Sequence, residues 1–306
     1  MRWGILSGAL WGLDTVVLGI ALGLAPFLGA GEASLASALL HDAACALILL
    51  IYMGARGRLG DTLAALRTRS GKAVMLAALL GGPFGMSGYL IAINHIGPGY
   101  TAIISTFYPA VGTLLAFLLL KERMRPRQII ALLIALTAIV VIGYSSTSDG
   151  GGNPVIGVIA ALACVVGWGS EAVILAWGMR DEAVDNETAL QIRETTSALV
   201  YLAVVAPLAG VLGFTFTAVP SFGTGVIALA ALAGTASYLF YYTAINTVGA
   251  SRGMALNISY SAWAVIFAFV LMGTTPTPLQ IVCCLVILVF TVLAATPDWK
   301  DLRVRR

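Results

Sequence analysis

Long apolar runs separated by short polar punctuation fill this chain from end to end. A helix that crosses a bilayer needs about 20 mostly apolar residues. Ten stretches meet that length: roughly 3–24, 33–53, 72–94, 99–120, 127–145, 155–178, 189–214, 222–246, 251–272 and 277–296. Inside lipid every backbone polar group needs an internal partner, so only helices or a closed barrel can span, and runs this long and unbroken predict helices. The first run is expected to be a retained helix rather than a cleaved leader, because Trp11 and Asp14 interrupt its apolar core and no convincing cleavage site follows.

Composition strengthens the same reading. The chain is 59% hydrophobic and only 10% charged, with a mean hydropathy of +0.96, whereas a soluble domain is about 25% charged. The expected class is an all-α membrane protein of ten transmembrane helices. The soluble segments are too short for a catalytic or nucleic-acid-binding domain. The net charge of +3 matters less than its placement. Arg2, the group Arg56, Arg58, Arg67, Arg69 and Lys72, the group Lys121, Arg123, Arg125 and Arg127, then Arg180, Arg193, Arg252 and the tail Lys300, Arg303, Arg305 and Arg306 all fall on one side of a ten-helix ladder. The loops around Gly29, Gly97, Gly150, Val219 and Thr275 hold none. The positive-inside rule then puts both termini in the cytoplasm of a multi-pass protein of the plasma (inner) membrane.

The polar residues inside the runs repeat. Displacing the sequence by 152 residues pairs Tyr89 with Tyr241, Ala92 with Ala244, Asn94 with Asn246, Gly97 with Gly249, Tyr108 with Tyr260, Pro126 with Pro278 and Gln128 with Gln280. A fainter echo links "WGLD" at Trp11 with "WGSE" at Trp168. Five helices have been written twice, over residues 1–150 and 151–306. Five is odd, so the second copy enters from the opposite side, giving two inverted five-helix repeats. Such repeats build secondary transporters with a site near the midplane between the halves.

The stretch "YTAIISTFYPAVGTLLAFLLLKERMRPRQIIALLIALTAIVVIGY", with its Tyr-Pro, its Lys-Glu-Arg exit and the following Pro-Arg-Gln, resembles the EamA repeat of the drug/metabolite transporter superfamily. Within it the chain looks closest to the YddG-type exporters of aromatic and neutral amino acids. The resemblance implies export of an amino acid with a large apolar or aromatic side chain by alternating access, or of another small neutral or cationic metabolite or drug. The second half departs from the pattern, with Ser261 where the first has Pro109 and Gly273-Thr274 where it has Lys121-Glu122. Its exit helix is therefore expected to bend and seal differently.

Candidate chemistry lies in the polar and aromatic residues within the runs. Asp14 and Glu171 are proton-coupling candidates, since ionisable groups at such depth face a cavity or a partner; a structural, hydrogen-bonded role is the alternative for each. His41 beside Asp42 suits a clamp between helices, and Arg193-Glu194 reads as an interfacial pair. Trp11, Tyr89, Tyr108, Trp168, Tyr238, Tyr241 and Tyr260 fall inside runs rather than at the interfaces where such rings collect. With His41, Ser105 and Asn257 they are the candidate substrate-binding set. With Arg193 placed at the interface, no Lys or Arg is expected near the midplane, which favours a neutral, zwitterionic or cationic solute. Glycine pairs such as Gly8/Gly12 and Gly81/Gly85 suit close helix packing, and Gly82-Pro83 should loosen its helix.

Other chemistries find no support. Cys45, Cys164, Cys283 and Cys284 lack metal-ligand spacing, there is no phosphate-binding glycine loop for a nucleotide, and no cofactor is implied. An intramembrane enzyme built on His41-Asp42 is disfavoured because adjacent helical residues point about 100° apart. The expected partners are a small-molecule substrate and membrane lipid, not nucleic acid, and a monomer is compatible with the pattern.

Overall fold

The computed structural model describes residues 1–144, 152–180 and 184–299. Gly150, the expected junction between the halves, and the tail cations Lys300, Arg303, Arg305 and Arg306 lie outside the described residues. Every regular element among the described residues is a helix. Apart from two short helices, Leu59–Ala65 and Leu212–Ala218, these are in chain order α1 (Arg2–Leu22), α2 (Ala33–Ala55), α3 (Arg69–Gly97), α4 (Tyr100–Leu120), α5 (Pro126–Tyr144) and α6 (Pro154–Gly178). Then come α7 (Asn186–Val200, continuing to Leu208 through a π-helical turn), α8 (Phe222–Val248), α9 (Ala250–Met272) and α10 (Pro278–Ala295).

Nine of these, all but α7, are long and apolar enough to cross a membrane. Glu187, Arg193 and Glu194 lower the hydropathy of α7, so the count of ten expected from sequence rests on a helix that fails the apolar criterion. The length of α7 does not disqualify it: residues 186–208 rise about 34 Å at 1.5 Å each.

The repeat is visible in the packing. Helix α1 lies against α8 and α9, while α6 lies against α3 and α4. Likewise α2 meets α8 as α7 meets α3, and the self-paired contacts are α2 with α7 and α5 with α10. Exchanging the two sets of five helices maps this pattern onto itself.

It is visible in the backbone too. Gly97 (φ 77, ψ 162) and Gly249 (φ 91, ψ 161) turn the chain identically, in a region that residues with a Cβ avoid. Lys121 (φ 58, ψ 24) and Gly273 (φ 70, ψ 13) share one left-handed turn. The substitution that suggested a different bend therefore changes the side chains and leaves the turn alone. Gln128 accepts from the Arg125 amide at 3.0 Å and Gln280 from the Thr277 amide at 2.9 Å, the same cap before Pro126 and Pro278. The glycines in the first half of α1 pack within the chain: a Cβ on Gly4 would lie 2.6 Å from Leu256, and one on Gly12 would lie 2.9 Å from the Tyr260 carbonyl.

Candidate functional site

The site is built on interrupted helices. The α-helix of α4 breaks at residues 106–107 and that of α9 at 258–259, once more 152 apart. Tyr108 and Tyr260 begin the second segments, and Ser105 and Asn257 end the first. Helix α3 opens into a π-helical segment over Leu80–Met86, which contains Gly82-Pro83. A π segment displaces the regular bonding ladder, and here the Gly81 carbonyl accepts from Nε1 of Trp168 at 3.0 Å. A Cβ on Gly81 would collide with the Glu171 carboxylate, so a larger residue there would force that side chain to move.

These elements line a half-open chamber of ≈ 490 Å³, including space continuous with the outside, walled by Trp11, Tyr108, Trp168, Tyr238, Tyr241 and Tyr260, with Glu171, Ser237 and Asn257 as its polar groups. Among the described residues Glu171 is the one carboxylate lining it, and no Lys, Arg or His does. The rings brace one another: Trp11 meets Tyr238 edge-on at 4.9 Å and Tyr108 meets Trp168 at 5.9 Å. Tyr108 donates to Oδ1 of Asn257 at 2.9 Å, which ties the halves together, and Asn257 donates to Oγ of Ser7 at 2.9 Å.

A larger cavity of ≈ 1370 Å³ adjoins the chamber and shares Trp11, Trp168, Tyr238 and Tyr260 with it. It runs past Asp14, His41, Asp42 and Tyr89 to Leu22, Ser34 and Ile93, the end of the bundle where α1 stops and α2 starts.

Between the cavities lies a buried charge network. Arg193 donates through Nε to Glu171 at 3.0 Å, through Nη1 to Glu194 at 2.9 Å and through Nη2 to the Tyr238 hydroxyl at 3.1 Å, with Asp42 at 4.0 Å. His41 sits between Asp14 at 3.0 Å and Asp42 at 3.5 Å, and Ser197 donates to Asp42 at 2.5 Å. Four carboxylates thus share one permanent cation.

This network corrects two expectations. Arg193-Glu194 is not an interfacial pair: Arg193 is 5% exposed and Glu194 fully buried. Helix α7 begins at Asn186, so Arg193 lies about a dozen ångströms along it. The interior therefore does contain a cation, and the exclusion of anionic solutes on that ground lapses. Three candidates also fall outside the chamber lining. Ser105 is buried and bonded to the Ala102 carbonyl, and His41 and Tyr89 face only the larger cavity. Ser7, Ser197 and Ser237 had not been singled out; their small hydroxyls resemble any small residue in an apolar run. An Arg-Glu pair inside the run 189–214 was a signal that could have been read as buried.

The opposite end of the bundle is closed. Arg58 pairs with Asp185 at 2.6 Å and also with Glu187, which holds Arg56 at 2.5 Å. Glu122 accepts the amides of Ala250 and Ser251, both at 3.0 Å, and Arg180 donates to the Leu120 carbonyl at 3.1 Å. Burial pushes the Asp185 carboxyl up, but the Thr188 amide and the Arg58 guanidinium outweigh it and hold the group below the usual carboxylate range.

A sequence profile of the EamA-like transporter family matches residues 1–144 and 155–296. Protein LicB of Haemophilus influenzae is 29% identical over 218 residues, covering 69% of this chain and 71% of that protein. A solved crystal structure superposes with a TM-score of 0.71 at 21% identity, covering 99% of this chain and 98% of the other; it is similar in fold.

Proposed function

Because the chain belongs to the EamA-like transporter family, we propose that it is a secondary transporter for a compact organic solute bearing an ammonium group. The observation that carries this reading is a chamber with six aromatic walls and a single carboxylate, Glu171. Aromatic faces attract cations, by about 0.5–1 kcal/mol at exposed sites and about 2 or more when desolvated, and a carboxylate adds a charge-assisted partner. Sites formed where helices break are also a recurring arrangement in transporters built from repeats.

A second reading is an amino acid with a large apolar or aromatic side chain, favoured by the same rings. It ranks lower because its carboxylate needs donors. Ser237 already donates to the Ser7 carbonyl at 2.8 Å, Asn257 to Ser7 and Tyr108 to Asn257.

In this account α7 is the tenth span, its charges turned toward Asp42 and Glu171 rather than lipid. The two five-helix sets are inverted, and the closed basic end faces the cytoplasm of a bacterial inner membrane. The larger cavity then opens outward, and rocking one half against the other exposes the chamber to each side in turn. Outward export of a cation works against an inside-negative potential by about 2.3 kcal/mol per 100 mV. Exchange for protons offsets that cost, with Asp14, His41 and Glu171 as the groups to carry them.

The test is equilibrium binding to the purified protein, read by tryptophan fluorescence, with tetramethylammonium, phenylalanine and glucose. Saturable binding of the cation, lost in Glu171→Gln, supports the first reading. Binding of phenylalanine alone supports the second, and binding of glucose alone contradicts both.

A further inference from the structure

On the basic end, away from the chamber, a cleft of ≈ 410 Å³ lies between the α4 exit and the α8–α9 turn, lined by Glu122, Arg123, Met124, Gly249, Ser251 and Arg252. Its two guanidiniums come from different halves of the chain. Neither Arg123 nor Arg252 has a hydrogen-bond or ion-pair partner among the described residues, and they are the two cations that line this cleft. The one carboxylate in the cleft, Glu122, is committed to the amides of Ala250 and Ser251. It caps the first turn of α9 and leaves both guanidiniums uncompensated.

The cleft adjoins a second groove. Glu122, Arg123 and Met124 also close one end of an apolar groove that runs between α4 and α5 along Leu114, Phe117, Ile129 and Leu133. Those four side chains are exposed on the outer surface of the bundle. Any membrane protein presents an apolar surface to lipid; what distinguishes this one is a pair of unneutralised cations at its mouth, on the end that carries the basic loops.

We propose that this cleft and groove bind one anionic phospholipid, its phosphate between Arg123 and Arg252 and an acyl chain along Leu114, Phe117, Ile129 and Leu133. Arginine presents forked donors that match phosphate oxygens. A free phosphate or nucleotide would leave the groove unused, so a lipid is the occupant that fits both parts. The bound phosphate bridges α4 of the first half and the α8–α9 turn of the second, and so reinforces the end that is closed in this structure. The proposal is independent of which solute the chamber takes.

Native mass spectrometry of the full chain in detergent tests it, with phosphatidylglycerol and phosphatidylcholine of identical acyl chains, and with inorganic phosphate as competitor. Phosphatidylglycerol is expected to be retained preferentially. Arg123→Gln and Arg252→Gln should each weaken that retention about fivefold, the usual effect of one cation near an anionic surface. Arg67→Gln, an exposed cation on the same end, should leave it unchanged. Both arginines lack internal partners, so the variants are expected to fold, which size-exclusion elution confirms before measurement. Equal retention of the two lipids, an equal effect of Arg67→Gln, or displacement of the lipid by millimolar inorganic phosphate would overturn the assignment.

Discussion

Nε of Arg193 donates to Oε1 of Glu171 at 3.0 Å, setting a permanent cation against the one carboxylate that faces the aromatic chamber. On the proposed reading a cationic solute in the chamber competes with Arg193 for Glu171, while Arg193 keeps Glu194 at 2.9 Å and the Tyr238 hydroxyl at 3.1 Å. That competition links solute binding to the network that joins α2, α6 and α7.

Breaking this network from one side should cost more than breaking it from both. Removing one partner of a buried pair typically destabilises by about 3–5 kcal/mol, because the other charge is left uncompensated. Arg193→Gln is expected to lower the thermal midpoint in detergent sharply. The double variant Arg193→Gln/Glu171→Gln should be less destabilised than the two single losses added together. Additive losses would show that the two side chains do not interact.

The chamber walls should set affinity rather than folding. Ring contacts contribute roughly 0.5–1.5 kcal/mol beyond area burial, so Trp168→Leu is expected to weaken the dissociation constant of the bound solute by about 2- to 13-fold. Isothermal titration on monodisperse protein measures it, and an unchanged constant would remove Trp168 from the binding surface.

Glu122 holds the basic end by accepting from the amides of Ala250 and Ser251, and Thr274 stands at its position in the second half. Loss of a helix cap costs about 0.5–2 kcal/mol. Glu122→Ala should therefore shift the balance toward opening of the basic end by about 2- to 30-fold. Labelling rates of a cysteine introduced at Ser251 report this, and an unaltered rate would mean that the cap does not contribute to closure.

Asp185 gives a pH-dependent contribution at the same end. Its carboxyl is held below its ordinary value by the Thr188 amide and Arg58, against the upward push of burial. The stabilisation is therefore present above the unfolded value of about 3.9 and is lost as pH falls through the lower folded value. Asp185→Asn keeps the helix cap and removes the charge. It is expected to cost about 0.2–1 kcal/mol at neutral pH, the worth of a partly exposed ion pair. Melting of both proteins from pH 7 to 3 checks this: the gap between them should narrow below about pH 4, and a constant gap would assign the effect to something other than the charge.

Much of this architecture was legible in the sequence because its signals are periodic or rare. Apolar runs of membrane length gave the helices. Tyr, Gly, Pro and Gln in one 152-residue register gave the repeat, and the structure shows the same register in the turns at Gly97 and Gly249 and in the Gln128 and Gln280 caps. Trp11 and Trp168 were conspicuous as large rings away from the interface, and both line the chamber. Arg193 was misplaced because sequence gives the depth of a charge only through the helix boundary. Moving the start of α7 from residue 189 to Asn186 carries Arg193 nearly a further turn inward, and three of its four partners, Glu171, Tyr238 and Asp42, lie on other helices. The serine hydroxyls were unreadable for a different reason: nothing in an apolar run distinguishes Ser7 or Ser237, which meet across 230 residues.

The central claim is that Glu171 couples an ammonium-bearing solute to movement across the membrane. Flux of radiolabelled organic cation into and out of proteoliposomes, with and without an imposed pH gradient, tests it most directly when the wild type is compared with Glu171→Gln. The account predicts cation flux that responds to the gradient in the wild type, and flux that is lost or indifferent to the gradient in the variant. Gradient-driven cation flux of equal size in both proteins would contradict it.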